Sequence, residues 1–375
     1  MNVEVKKNFQ VSAFFTFFLI HSSQTGIGIL NFQSQVIKGA EQDAWISVII
    51  TGVTTHIILY IIFKLLGGGT NDLVAVHHYC FGKTMGNILS LLALVYFWLA
   101  SLTVLRAYIE VIQIWVYPTI NTWQLCLVFG LTFYYVISSG FRTLTGFSFW
   151  GVILPFFLFF LIYFPMKHTN IIYLLPAFSH SLSELFVSSK SYSLLFLGFE
   201  WILMYFPFIR ESNNKKISKW AYLGNLYTII VYLIITLISF LYFNQDVLRQ
   251  LPWPTLMMVK IVKFSFLERF EYVFIFIWFL VVISPICISM WACTRIVKRS
   301  FSIPPKVTLI LLLIAEMIAS ISFKEFKSID HLTNFTANVG IGFVYVYLPL
   351  LLIIKMLKNN FFKKGQTKSS EIHKH

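Results

Sequence analysis

The sequence predicts an all-α polytopic membrane protein of ten transmembrane helices, built as two inverted repeats of five with helices 1 and 6 broken. Three observations carry this. The 375-residue chain is 58% hydrophobic and 18% aromatic but only 12% charged, about half the charge of an ordinary soluble domain. Apolar runs of bilayer-crossing length recur along the whole chain. Two of them, the first and the sixth, are interrupted by glycine beside polar residues: "QTGIGIL" at 24–30 and "SYSLLFLGFEWILMYFPFIR" at 191–210. The runs are continuous, not alternating, which argues against a β-barrel.

The spans are expected at 9–36, 45–66, 85–116, 122–137, 145–164, 192–209, 220–243, 264–296, 306–323 and 335–356. The third and eighth are long enough to require tilt or extension beyond the bilayer. They form one membrane domain over 1–356, with repeats at about 9–164 and 192–356, followed by a basic tail at 357–375. That tail is expected to be solvated and near anionic lipid. The first run has no small-residue cleavage site after it and reads as a span, not a cleavable signal. With the N-terminus inside, 19 Lys and Arg fall on inner segments and 9 on outer ones. Both termini are therefore expected in the cytoplasm, which requires an even number of crossings. Segment 67–84 reads as an inner loop with a short amphipathic piece, and 165–191 as the longest outer loop. A second outer loop is expected at 244–263.

Several function classes recede. The net charge of +14 is accounted for by inner loops, so no nucleic-acid partner is expected. Cys80, Cys126, Cys287 and Cys293 show no metal or redox spacing and read as free buried thiols. His77 and His78 have no supporting ligands nearby. There is no nucleophile motif and no catalytic carboxylate pair. The expectation is a non-enzyme with no cofactor and no metal.

The break at Thr25, Gly26, Ile27 and Gly28 follows about 22 Å of helix, deep in a bilayer core of about 30 Å. A helix can unwind there only where it is buried in protein or lines a cavity. Glycines let backbone approach a ligand closely, and the freed N–H groups at the start of the next half-helix favour an anion. Glycine pairs also serve helix packing. A second break at the matching position of the other half, at Gly198, Phe199 and Glu200, favours a transporter-type binding site. Five crossings per repeat make the second repeat inverted.

Other polar residues within spans read first as structural. Arg106 and Glu110 stand at i,i+4 and predict an intrahelical ion pair near the outer end of span three. Glu316 has no partner apparent in the sequence. His21 and His56 read as satisfied buried histidines. Asp43, just ahead of Trp45, reads as the N-cap of the second span.

"QTGIGIL" followed by "GAEQDAWIS" (39–47) resembles the start of the B subunit of spore germinant receptors, and "LGFEWILMYFP" (197–207) is similar to that family's sixth span. The resemblance covers nearly the whole chain. It implies membership of the amino acid–polyamine–organocation superfamily and a leucine-transporter-like fold. It implies location in the inner membrane of the spore, an A subunit and a lipoprotein C subunit as partners, and a small nutrient as ligand. In such a fold the third and eighth spans line the pocket, which adds Tyr96 and, with less specificity, Ser284 beside Pro285, a point of expected local distortion. Glu200 then either meets a ligand ammonium or holds the unwound backbone. The competing function is a proton- or sodium-coupled amino-acid transporter, for which Thr25 and Ser284 supply only part of a cation-binding set.

Overall fold

Apolar runs fold as helices because hydrocarbon offers no partner to backbone N–H and C=O groups, and a helix satisfies them within the segment. The computed structural model describes residues 5–67, 71–210, 214–265 and 268–372. A short strand β1 (Val11–Ser12) leads into α1 (Phe15–Gln24), a 3-10 turn (Ile27–Leu30), α2 (Gln33–Ala40) and α3 (Ala44–Leu65). Then come α4 (Leu73–Trp115), α5 (Thr122–Ser138), α6 (Phe141–Leu158) and the short α7 (Tyr163–Met166). The second broken segment comprises α8 (Leu182–Leu195), a 3-10 turn (Phe199–Trp201) and α9 (Ile202–Tyr205), ending in β2 (Ile209–Arg210), which pairs in parallel with β1. The chain finishes with α10 (Asn214–Tyr242), α11 (Gln245–Gln250), α12 (Pro254–Val259), α13 (Phe270–Phe301), α14 (Pro305–Ser322), α15 (Phe326–Ile341) and α16 (Leu348–Ile372).

The molecule is an all-helical membrane protein. Seven stretches among the described residues are long and apolar enough to cross a bilayer: Gln33–Leu65, Leu73–Trp115, Phe141–Met166, Asn214–Tyr242, Phe270–Phe301, Pro305–Ser322 and Lys327–Asn360. The apolar α5 is one residue short of that length, and the pieces of the broken segments are shorter still. At the centre stands α13, buried almost continuously from Val281 to Thr294 and packed against α4 and α6.

Several features differ from the sequence reading. Much of the expected inner loop at 67–84 is helix: α4 begins at Leu73, capped by the Asp72 carboxylate on Ala75 N at 2.6 Å. It bends at Gly82, whose φ of +78° suits glycine. His77 and His78 tie the bend, His77 Nδ1 lying 2.8 Å from Ser90 Oγ and His78 Nε2 2.6 Å from Asn87 Oδ1. The sixth apolar segment starts at Leu182, inside the expected outer loop, on a capping box of Ser181 and Glu184. At the other end α15 starts at Phe326, and α16 carries helix into the expected tail as far as Ile372. Finally, α13 stays helical through Pro285, so no separate break forms there.

Candidate ligand-binding site

The break in the first segment is accounted for group by group. After Gln24 the chain extends at Thr25 and Gly26 and resumes as a 3-10 turn. Three carbonyls released by this unwinding are taken up by side chains. Tyr232 Oη donates to Gln24 O at 3.0 Å, Trp278 Nε1 to Gly26 O at 3.2 Å, and Thr255 Oγ1 to Ile29 O at 2.8 Å. The amides of Gly26, Ile27 and Gly28 find no acceptor among the described residues. Carbonyls tied and amides open is the arrangement of an anion-accepting half-helix start.

The second break lies against the first. Gly198 has φ +110° and ψ −27°, and a Cβ there would stand 2.2 Å from Ser23 O. Only glycine meets both conditions. Gln24 stitches the breaks together: its Nε2 donates to Phe196 O at 3.1 Å and to Asn225 Oδ1 at 2.8 Å, while its Oε1 accepts from Thr228 Oγ1 at 2.9 Å. Glu200, fully buried, accepts from Gly198 N at 2.7 Å through Oε2 and from Tyr96 Oη at 2.6 Å through Oε1. Its carboxyl thus holds the unwound backbone to α4, the structural alternative of the sequence reading.

Between the two breaks lies a cavity of about 200 Å³. That is below the about 300–1,000 Å³ of sites for drug-sized ligands, a size for a small metabolite. Of the expected site residues, Gly26, Ile27, Gly28, Tyr96 and Gly198 line it. Four are placed elsewhere. Glu200 lies behind Tyr96. Phe199 is packed in the core. Thr25 donates back to His21 O at 2.8 Å and faces a separate apolar cavity with Ile29 and Trp278. Ser284 is buried near Gly151 of α6, and its neighbour Pro285 reaches the cavity instead.

The sequence reading missed the polar part of the lining: Ser23, Gln24, Asn31, Gln35 and Thr103, with Asp330, Thr333 and Asn334 of α15. Asn334 Nδ2 donates to Asp330 Oδ2 at 3.1 Å. The signal was the helical spacing of polar residues over 326–341, ahead of the apolar run that marked the tenth span. Trp201 also lines the cavity, and its buried Nε1 has no hydrogen-bond partner among the described residues.

Three further side chains differ from expectation. Arg106 and Glu110 form no ion pair. Arg106 Nε instead donates to Phe323 O at 2.7 Å, at the C-terminal end of α14 where the helix dipole favours a cation. Glu316 does have a partner, Ser101 Oγ at 2.7 Å. Asp43 occupies the N-cap position of α3 but makes no cap bond. Its carboxylate accepts from Phe178 N (2.8 Å), Ser179 N (2.7 Å) and His180 N (3.2 Å), with His180 Nδ1 at 3.0 Å. Beside it Gln42 Nε2 donates to Pro176 O at 2.6 Å, and Glu41 pairs with Arg249. His21 is buried and satisfied by Thr228 as expected, whereas His56 is satisfied by Asn225 but only half-buried.

A family model described as "Spore germination protein" matches residues 10–329. The chain belongs to that family. It is 32% identical to spore germination protein GerQB of Bacillus cereus over 355 residues, covering 95% of this chain and 98% of that one. Spore germination protein A2 of Bacillus subtilis (strain 168) is 22% identical over 344 residues, 90% of this chain and 92% of that one. Spore germination protein GerLB of Bacillus cereus is 24% identical over 188 residues, 48% of this chain and 49% of that one. The matched span of the spore germination family takes in both helix breaks, the Glu41–Asp43 clamp and the whole of α13. The resemblance drawn from "QTGIGIL" and "GAEQDAWIS" therefore holds.

Proposed function

We propose that this spore germination family member is the B subunit of a nutrient germinant receptor. It binds a small nutrient, an amino acid before a sugar or nucleoside, in the cavity between the two breaks. Bound nutrient favours one conformation by its differential affinity, and the change passes to an A subunit and a lipoprotein C subunit. The chain is no enzyme in this reading. It sits in the inner membrane of the spore with both termini cytoplasmic.

The observation that carries the reading is the pairing of unbonded amides at Gly26, Ile27 and Gly28 with a cavity that both breaks bound. A scaffold without a ligand has no use for either. Ten crossings follow if the two broken segments and α5 are counted with the unbroken helices. A leucine-transporter-like inverted repeat is supported by α2 and α8, the half-helices flanking the two breaks, which pack side by side. The test is nutrient-triggered germination of spores lacking this chain, alongside uptake of the same labelled nutrients by growing cells. Loss of one nutrient response with uptake intact supports the receptor. Intact germination with lost uptake contradicts it and indicates a transporter.

A further inference from the structure

The last apolar segment is not a plain helix. Between α15 and α16, at Gly342–Tyr347, its turn widens: the Leu348 amide bonds Phe343 O, five residues back instead of four. Such a turn holds one extra residue and is uncommon within helices. It is packed against α3 and α4. Just before it, a Cβ at Gly340 would stand 2.7 Å from Tyr96 Oη and 2.4 Å from Leu197. The Phe343 ring lies 5.3 Å from that of Tyr96 and 5.9 Å from that of Phe97. Tyr345 Oη lies 3.3 Å from Thr54 Oγ1 of α3, and Tyr347 Oη lies 2.8 Å from His77 Nε2 of α4.

His77 stands at a second irregularity. It is fully buried, and its other ring nitrogen lies 2.8 Å from Ser90 Oγ, across the bend that α4 makes at Gly82. A Cβ at Gly82 would meet nothing within 4 Å, so the positive φ alone calls for glycine there. One imidazole therefore joins the bend of α4 to the wide turn of the last segment. Beyond it the two helices run on together. Tyr79 Oη donates to Asn359 Oδ1, and Lys358 Nζ donates to Cys80 O at 3.4 Å. On the other side of the wide turn, α15 carries Thr333, Asn334 and Ala337 into the lining of the central cavity.

We propose that the wide turn is a register switch, latched by His77, that carries the state of the cavity to the end of the molecule where α4 begins. The proposal rests on the reading that a nutrient binds between the two breaks. A helix turns about 100° per residue, so closing the wide turn to an ordinary one re-aims Tyr347 and α16 relative to α15. A nutrient held against Thr333, Asn334 and Tyr96 favours one register over the other by its differential affinity. Release of Tyr347 from His77 then frees the bend at Gly82. The first turns of α4 and the α16 residues bonded to them move as one body. Two irregular turns joined by one buried side chain give an element with two discrete arrangements, which is how a small shift at a ligand becomes a larger one elsewhere.

The experiment is hydrogen exchange of the purified full chain in uncharged detergent, with and without a mixture of the common amino acids, glucose and adenosine. The proposal expects the mixture to change exchange by about threefold or more at 24–30, beside the cavity, and also at 342–348 and 74–81, which line no part of it. The control is α5, which lines no part of the cavity either and should change less. Tyr347→Phe keeps the ring and removes the bond to His77, so the response at 24–30 should remain and that at 74–81 should vanish. Deleting Val346, which is 57% exposed, brings Leu348 to four residues after Phe343 and closes the wide turn. That variant should lose the response at 74–81 while α3 and α10 keep their protection. A response at 24–30 with none at 342–348 overturns the proposal and leaves the cavity reading standing. So does a change in α5 as large as that at 342–348, which marks general stabilisation, or a Tyr347→Phe variant that responds like the natural protein. No response at any segment overturns the proposal and the cavity reading together.

Discussion

Gly198 is a glycine for two reasons that Gly26 does not share. Gly198 has a positive φ and lies against Ser23 O, whereas a Cβ at Gly26 would meet only Pro285 and Val104, at 3.8 Å. Gly198→Ala should therefore lower stability by about 2 kcal/mol or more, read as a fall in thermal unfolding temperature in detergent. Gly26→Ala should leave that temperature nearly unchanged. Equal losses from the two would refute this account of the breaks. The Tyr96–Glu200 bond belongs to the same scale. Tyr96→Phe and Glu200→Gln should each destabilise, and a double-mutant cycle should show a coupling of about 1 kcal/mol. Additive effects would mean that the bond contributes nothing. The sequence pointed to Glu200 because an ionisable residue within a span demands a reason. It could not say which way the carboxyl faced, because that depends on Tyr96, a hundred residues earlier in the chain.

The elements show why some boundaries were legible and others were not. Hydropathy finds helices whose side chains are apolar, whether they meet lipid or the apolar core. It found α3, α10 and the central α13, whose apolar runs are unbroken. It missed the start of α8, where Ser188 is buried against the first segment, donating to Val36 O at 2.7 Å and accepting from Ala40 N at 2.9 Å. It likewise missed the first turns of α15, whose polar residues face the cavity. Helices that look inward read as loops because their polar faces are satisfied by protein. The Glu41–Asp43 turn, the most specific family marker, proved to be a clamp on the segment before α8. Asp43→Ala removes the acceptor for three backbone amides at once. Hydrogen exchange should then quicken at Phe178, Ser179 and His180 by about tenfold or more, while α3 and α10 keep their protection. Unchanged exchange at Phe178–His180 would mean that the clamp does not hold that segment.

At the scale of the whole molecule, an all-helical membrane protein was readable from composition and run length. The site was readable only as two glycine-marked breaks, since their meeting depends on how distant segments pack. The two breaks and the α3–α10 contact are joined through few residues. Gln24 links both breaks to α10, and Asn225 links Gln24 to that contact. The nutrient proposed to bind between the breaks would therefore have a short route to the rest of the bundle. The most direct test is the nutrient dose response of spores whose only copy of this chain carries Gly26→Val, with the amount of the chain checked by immunoblot. Valine at position 26 fills space beside Pro285 and Val104 without requiring a positive φ. The account predicts normal levels of the chain and a rise of about tenfold or more in the nutrient concentration for half-maximal germination. An unchanged dose response at normal levels would contradict the central claim, because a nutrient held between the two breaks cannot ignore a side chain placed there.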